Sequence, residues 1–172
     1  MFRSAIIAIF ASLAMAAGAV AQDAPTDPQI AHIAYTAGQL DITAAELALK
    51  KSNNPDVIAF AELMARDHKA VNDQALALVA KLGVTPEDNA TSQKLSADAA
   101  AKLAELDALD GAAFDAAYVA NEVAFHQAVN DALANVLIPA AQNPELEALL
   151  QTGLTLFQEH QLHAEHLATQ VK

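Results

Sequence analysis

Apolar residues recur along this chain at intervals of three and four, which is the spacing of one face of an α-helix. One such stripe comprises Val57, Ala61, Met64, His68, Val71, Ala75, Leu78 and Leu82. A second comprises Leu146, Leu149, Gly153, Leu156, His160, Ala164, Leu167 and Val171. Both have the rhythm of a seam in a helical bundle. No stretch shows the two-residue alternation of a β-strand.

Helix starts are marked by a capping side chain followed by proline, a pair typical of the first helical turn. The three instances are Asp27-Pro28, Asn54-Pro55 and Asn143-Pro144. They predict helices over residues 28–52, over residues 55–82, and from residue 144 towards the C-terminus.

A fourth long helix is predicted over residues 111–138, where Pro139 ends or kinks it. Residues 84–110 form a long connection, in which three leucines predict a short accessory helix over residues 96–109. Short turns at either side of one long connection predict an all-α fold, a four-helix bundle with a crossover between its second and third long helices.

The first 21 residues have the features of a secretory signal peptide. Arg3 gives a charged start, an apolar run follows, and Ala19-Val20-Ala21 is a cleavage motif. A retained membrane anchor is the alternative, but the run is short for a spanning helix. We therefore expect residues 1–21 to be removed, residues 22–172 to form the bundle, and the protein to be periplasmic without stable membrane insertion after cleavage.

Charge and composition narrow the classes of partner. The formal net charge is −12, which disfavours binding to nucleic acid and to anionic lipid surfaces but is compatible with collecting cations. There is no cysteine, so disulfides, thiolate metal sites and thiol redox chemistry are excluded.

Three histidines occupy stripe positions where an apolar residue is expected, each on a different long helix. His68 lies 13 residues after Pro55, and His126 and His160 each lie 16 residues from the turn that joins the last two helices. At 1.5 Å per residue these depths place all three near the bundle midplane. Glu122 lies one turn from His126, and Asp41 falls at a matching depth in the first helix.

Two interpretations of this cluster remain open. Imidazole and carboxylate ligands on facing helices suit Zn, Fe, Cu or Mn, with His68, His126, His160, Glu122 and Asp41 as ligands. Alternatively the histidines are structural, and a buried polar network that includes Asp115, Tyr118 and His126 fixes the register of the bundle. Asp67 points away from His68 and is expected to be a solvated charge.

A second histidine-rich stretch lies near the C-terminus. His160, His163 and His166 fan over about 120° of helix surface, too wide for one ion to bind all three. Glu159 with His163 could make a weak surface site, but the preferred interpretation is a solvated helix end with cations near its negative dipole.

The chain resembles the exported bacterial family called domain of unknown function 4142, which has a ferritin-like bundle. The matching features are residues 54–68, which end in Asp67-His68, the motif Phe114-Asp115-x-x-Tyr118, then His126 and residues 154–160. The resemblance covers residues 29–167. Its pattern carries over onto His68, Asp115, Tyr118, His126 and His160, and its helix-1 acid onto Asp41, where Glu is usual.

The resemblance implies a fold but no established biochemical role. Ferritin-like di-iron proteins use Glu-x-x-His pairs, and this chain has none, which disfavours a di-iron oxidase. We expect a protein that binds a metal ion or small ligand through its midplane histidines, in envelope stress or metal handling. The alternatives are a mononuclear metal oxidoreductase and a non-catalytic scaffold with structural histidines, so whether the protein is an enzyme stays open.

Overall fold

A computed structural model describes residues 24–171, so the predicted signal peptide lies outside the described residues. The helices are α1 (Asp27–Lys51), α2 (Pro55–Leu82), α3 (Ala90–Asp107), α4 (Gly111–Ala132), α5 (Ile138–Ala140) and α6 (Pro144–Ala168). A π-helical segment, Leu133–Leu137, joins α4 to α5. Residues 24–171 contain no strand, which confirms the all-α fold class.

The capping residues explain where two of the long helices begin. Asn54 accepts a hydrogen bond from the backbone N–H of Asp56 at 3.0 Å, and Asn143 accepts one from Glu145 at 2.9 Å. Asp27 has a different role from the predicted cap, because its carboxylate accepts the backbone N–H groups of Gln142 and Asn143. This contact ties the start of α1 to the turn before α6.

The four long helices α1, α2, α4 and α6 form a bundle in which α1 packs on α2 and α4, and α6 packs on the same two helices. Each contacting pair is antiparallel. The start of α1 meets the turn before α6, and the end of α2 meets the start of α6 through the Lys81–Glu145 ion pair. Helices α2 and α4 are therefore parallel and lie diagonally across the bundle.

Helix α3 connects these two diagonal helices and lies outside the bundle, against α1 and α4. Asn89, before its first residue, donates to the backbone O of Gln29 near the start of α1, whereas Asp107 contacts Lys51 at the end of α1. The helix thus runs parallel to α1 for about 27 Å and carries the chain from one end of the bundle to the other. The finer ferritin-like topology stays a prediction.

The accessory helix is longer than predicted and starts six residues earlier, at Ala90 instead of residue 96. Its start is set by a capping box in which Asn89 accepts the N–H of Ser92 at 3.1 Å and the Ser92 hydroxyl accepts the N–H of Asn89 at 3.2 Å. Hydrophobic spacing could not reveal this first turn, because its alanine and threonine are exposed.

The segment before Pro139 also differs in detail from one continuous α-helix. Proline lacks an N–H, and its ring crowds the carbonyl four residues earlier, here that of Asn135. The backbone widens over Leu133–Leu137 into a π-helical turn, which accommodates the ring, and helical structure then continues to Ala140. Pro139 therefore changes the winding without a sharp stop at residue 138.

The interior is divided into three layers. One apolar cluster surrounds Phe60 and Phe114 near the α1–α2 turn, and another surrounds Ile30 and Leu133 at the opposite end. Between them lie the buried polar residues Asp41, His68, Asn72, Glu122, His126, Asn130 and His160. Within residues 24–171 no helix is both long and apolar enough to cross a membrane.

Candidate metal centre

The structure brings together the three histidines that the sequence places at the midplane. His68 on α2, His126 on α4 and His160 on α6 are 2%, 0% and 2% exposed. Their ring centroids are 5.4 to 5.5 Å apart, and one nitrogen from each ring lies within 4.8 Å of the other two. Each helix contributes one ring from a stripe position, which is why the rings converge on the bundle axis.

Asp41 joins two of these rings in a compact triangle. His68 Nε2 lies 3.4 Å from His126 Nε2, and Asp41 Oδ2 lies 3.5 Å from the first nitrogen and 3.7 Å from the second. The centre of this triangle is about 2.0 Å from each atom, the bond length that nitrogen and oxygen ligands form to Zn²⁺. The first distance is long for a hydrogen bond but close to the roughly 3.3 Å between two tetrahedral nitrogen ligands.

The tautomer of His126 is set by its own helix. Its Nδ1 lies 3.0 Å from the backbone O of Glu122, one turn earlier in α4. A carbonyl oxygen only accepts, so Nδ1 carries the hydrogen and Nε2 keeps a free lone pair. That lone pair faces His68 and Asp41, as metal coordination requires.

His160 is oriented by Asp67, which the sequence analysis had expected to be a solvated charge. Its Nε2 lies 3.2 Å from Asp67 Oδ2, and its buried Nδ1 has no hydrogen-bond partner within residues 24–171. The Asp67 side chain is 16% exposed and also accepts from Arg66 Nε at 2.8 Å. Partial burial opposes ionisation of Asp67, but hydrogen bonds from Arg66 and His160 lower its pKa overall. The expectation was wrong because the side of α2 that carries Asp67 faces α6.

Burial keeps the imidazoles neutral. It lowers the pKa of His68 well below 6.5 and that of His126 to about 4, and the neighbouring rings add to both effects. Burial also lowers the pKa of His160, although Asp67 partly opposes this. Neutral rings are the form that binds a metal ion, so the three can act as ligands at neutral pH without losing a proton.

Asp41 and Glu122 form a second group with His126, again with potential ligand atoms within 4.8 Å of one another. All four carboxylate oxygens are buried and lack a hydrogen-bond partner among the described residues. Burial raises the pKa of Asp41 to about 7, and burial and the charge of Asp41 raise that of Glu122 well above its usual range. A proton shared by the two carboxyl groups, or a bound cation, would give these buried oxygens a partner.

Asp115 and Tyr118, the other two residues of the predicted polar network, do not form a network with His126. Asp115 is buried but lies 11 residues before His126, about 16 Å along α4. The buried Tyr118 hydroxyl has no hydrogen-bond partner among the described residues. Burial, followed by the charges of Glu122 and Asp41, raises its pKa well above 10, so it stays a neutral phenol beside the carboxyl groups.

Two residues that the sequence pattern does not single out also hold the histidines in place. Phe157 stacks on His68 with ring centroids 4.5 Å apart and planes 7° from parallel, whereas the predicted stripe used Leu156. Asn130 donates to the backbone O of Phe157 at 3.2 Å and to Gln161 Oε1 at 2.9 Å. This amide fixes α4 against α6 beside His160. A signal was present, since Asn130 lies four residues after His126 on the same face.

The C-terminal histidines lie outside the cluster. His163 and His166 are exposed, in contrast to His160 one turn earlier. The His163 ring packs edge-on against Phe60 at 5.0 Å, and His166 Nε2 lies 3.0 Å from Gln170 Nε2. Neither ring belongs to a potential metal-binding group among the described residues.

Comparison with known proteins gives the fold and the family. No curated protein matches the chain. A protein from Streptomyces coelicolor, described as a secreted member of DUF305, superposes with a TM-score of 0.68 at 12% identity, covering 82% of this chain and 91% of its own. CopM in its Cu(II)-bound form superposes with a TM-score of 0.66 at 17% identity, covering 86% of this chain and 100% of its own.

These two structures share the fold of a helical bundle with this chain. The family comparison goes further, because the sequence profile called domain of unknown function (DUF4142) matches residues 12–167, nearly the whole length. By that match, this chain belongs to the DUF4142 family.

Proposed function

We propose that this protein binds one divalent transition metal ion at the bundle midplane. The observation that carries the proposal is the buried triangle of His68 Nε2, His126 Nε2 and Asp41 Oδ2, whose edges are 3.4 to 3.7 Å long. His160 groups with His68 and His126 and is the proposed fourth ligand, while Glu122 groups with Asp41 and His126 and supplies a second carboxylate beside the ion. Ligands from four different helices hold the geometry because the bundle packing fixes each backbone.

The charges of the site support an ion of this valence. Once a cation has displaced their protons, Asp41 and Glu122 carry two negative charges and the three neutral imidazoles carry none, so a divalent ion makes the centre neutral overall. Without an ion, buried carboxylate oxygens that lack a donor each cost roughly 1–3 kcal/mol. A cation would satisfy those oxygens and the free nitrogens at once.

The donor set favours copper or zinc. Imidazole nitrogen suits both ions, and Cu(II) binds most tightly of the divalent first-row metals at sites of this type. The similar bundle of CopM was solved with Cu(II), which supports the same choice here. We propose a role in metal handling in the cell envelope, which rests also on the signal peptide that the sequence predicts and on a secreted structural neighbour.

The test is metal content and affinity in protein made without a histidine tag. Untagged protein is stripped with a chelator, titrated with Cu(II) or Zn(II), and analysed for bound metal. We expect one ion per chain, and we expect His126→Ala to weaken binding by more than about 100-fold, since loss of an outer-shell partner alone costs 10- to 100-fold.

His163→Ala is the matched control, because it removes an exposed histidine one turn from His160. It should keep one ion per chain with unchanged affinity. If the wild type binds no metal even in excess, the proposal is wrong and the interpretation of the histidines as structural residues stands. Loss of binding in His163→Ala with retention in His126→Ala would move the site to the C-terminal surface.

A further inference from the structure

A cavity of about 400 Å³ lies between α1, α3 and α4. Cavities of this size are typical of small-molecule sites, whereas packing defects in protein interiors rarely exceed the size of a few water molecules. Because α3 lies outside the four-helix bundle, the cavity separates the connection from the bundle proper.

The walls and the inner side of this cavity differ in chemistry. The walls are mainly apolar and include Leu40, Ala44, Leu95, Leu103, Leu106 and Phe125. On the side towards the midplane the lining residues are Asp41 and Glu122, whose four oxygens lack a hydrogen-bond partner among residues 24–171. These oxygens are buried just beneath the apolar lining, so a ligand that reaches them has to match two acidic groups.

The charged residues at the outer rim of the cavity do not supply a partner for the two acidic groups. Lys102 is half-exposed and pairs with Glu105, and Asp98 accepts from Lys94 at 2.8 Å. The lysine is therefore already paired outside the cavity. Of the buried polar atoms that lack a hydrogen-bond partner, those among the lining residues that the structure describes belong to Asp41 and Glu122.

We infer that this cavity binds a small organic amine, with its apolar body against the leucines and its ammonium group on Asp41 and Glu122. An ammonium group offers three N–H donors and a positive charge, which match the unpaired acceptors. An ammonium group favours the ionised form of both acids, whereas a carboxylate ligand of the same shape would oppose it. The carboxyl oxygens are covered in the ligand-free protein, so binding turns Glu122 towards the cavity.

The inference does not rest on the proposed metal ion. An amine and a metal ion both neutralise Asp41 and Glu122, but only the amine needs the space beneath α3. The amine is therefore tested on chelator-treated protein, and the metal titration is repeated on the same variants. Failure of one proposal then leaves the other measurable.

The test uses three indole compounds that differ in one end group: tryptamine (ammonium), tryptophol (hydroxyl) and indole-3-propionate (carboxylate). The chain contains no tryptophan, so indole fluorescence reports the ligand alone. At about 0.15 M salt, which screens the general negative charge of the protein, tryptamine should bind with a blue shift. It should bind at least about tenfold more tightly than indole-3-propionate, with tryptophol intermediate.

Two variants locate the site. Ala99→Phe fills the cavity from α3 and should abolish tryptamine binding while leaving metal binding intact, whereas Ala101→Phe, on an exposed position of the same helix, should change neither. Glu122→Gln should weaken tryptamine about tenfold and tryptophol little. Equal affinity for all three compounds, no binding of any, or full binding by Ala99→Phe would each overturn the inference.

Discussion

Helix α6 carries histidines of two kinds within seven residues. His160 is buried, with Nε2 on Asp67 and Nδ1 without a hydrogen-bond partner among residues 24–171, whereas His163 and His166 are exposed. The residue type and the helix are the same. The difference comes from the side of α6 on which each histidine lies, since only one side faces the bundle axis. An imidazole on that side is held in one orientation and can retain an unsatisfied nitrogen.

The comparison teaches how to separate a candidate ligand from an ordinary surface residue. An exposed histidine is solvated in any orientation, so its position carries little information. A buried polar group without a partner costs stability, and the midplane contains several of them. Such an arrangement is understandable if a ligand completes it.

The largest effect we expect is stabilisation of the wild-type fold by the ion. An unfolded chain cannot gather ligands from four helices, so at a free-ion concentration 1,000 times Kd the gain is about 4 kcal/mol. For a chain of this length that raises Tm by roughly 10 °C. In His68→Ala the shift should disappear, measured by thermal melts of each variant with and without Cu(II) or Zn(II).

His32→Ala is the control for this measurement. His32 lies on α1, 3.9 Å from Asp88 and far from the midplane along the helix, so its removal should leave the shift in Tm intact. Comparing each variant with its own metal-free form removes the cost of the cavity that His68→Ala creates. A full shift in His68→Ala would exclude this residue as a ligand.

The contrast within α6 also shows what the sequence could predict. Counting residues from the turns placed His68, His126 and His160 at one depth, because helical rise is regular and the turns are marked by Asn-Pro pairs. The fold class followed from the same regularity. These predictions needed only one-dimensional distances along rigid helices.

The predictions that failed depended on which helix stands beside which. Asp67 lies about 100° from His68 around α2. A side chain at that angle is solvated only if no other helix packs on that side of α2, and here α6 packs there. Phe157 and Leu156 both border the stripe, and the stacking of Phe157 on His68 decides between them. The early start of α3 depended on a hydrogen-bonded cap at Asn89, which hydrophobic spacing does not register.

A second, smaller effect is expected from Asp67, whose Oδ2 lies 3.2 Å from His160 Nε2. Asp67→Asn keeps the shape but replaces the charged acceptor, and loss of such outer-shell partners typically weakens metal binding by 10- to 100-fold. Stoichiometry should stay at one ion per chain, because His68, His126 and Asp41 are intact. Competition titration against a chelator of known affinity measures the change.

Asp73→Asn is a matched control, since Asp73 lies on the same helix in an exposed pair with Lys69. It should leave the affinity unchanged. An equal loss in both variants would attribute the effect to net charge, and no loss in Asp67→Asn would show that the contact with His160 does not orient a ligand.

The third effect concerns stability against pH in metal-free protein. The pKa values of the three midplane histidines are lowered, so below about 6.5 the unfolded chain binds more protons and stability falls. The pKa of Asp41 is raised to about 7 and that of Glu122 is raised too, so acidification from about 7 favours the folded state. The two contributions oppose each other in the wild type.

Asp41→Asn combined with Glu122→Gln separates them. This variant keeps the histidines and removes the opposing carboxyl groups, so its stability should fall more steeply between pH 7 and pH 5. The extra loss relative to the wild type is the contribution of the removed carboxyl groups, on the order of 1 kcal/mol per pH unit for each group that takes up a proton only in the folded state. Denaturant melts across this range measure the slope. A slope equal to that of the wild type would contradict the opposing roles.

The smallest effect is expected at the C-terminal end of α6, where His163→Ala and His166→Ala are combined. Exposed substitutions usually change the free energy of unfolding by less than about 0.5 kcal/mol. The edge-on contact of His163 with Phe60 and the contact of His166 with Gln170 are the interactions lost. Denaturant melts and the metal-induced shift in Tm should both match the wild type closely. A reduced metal shift in this double variant, beside an intact one in His68→Ala, would reverse the comparison and place the ion on the surface.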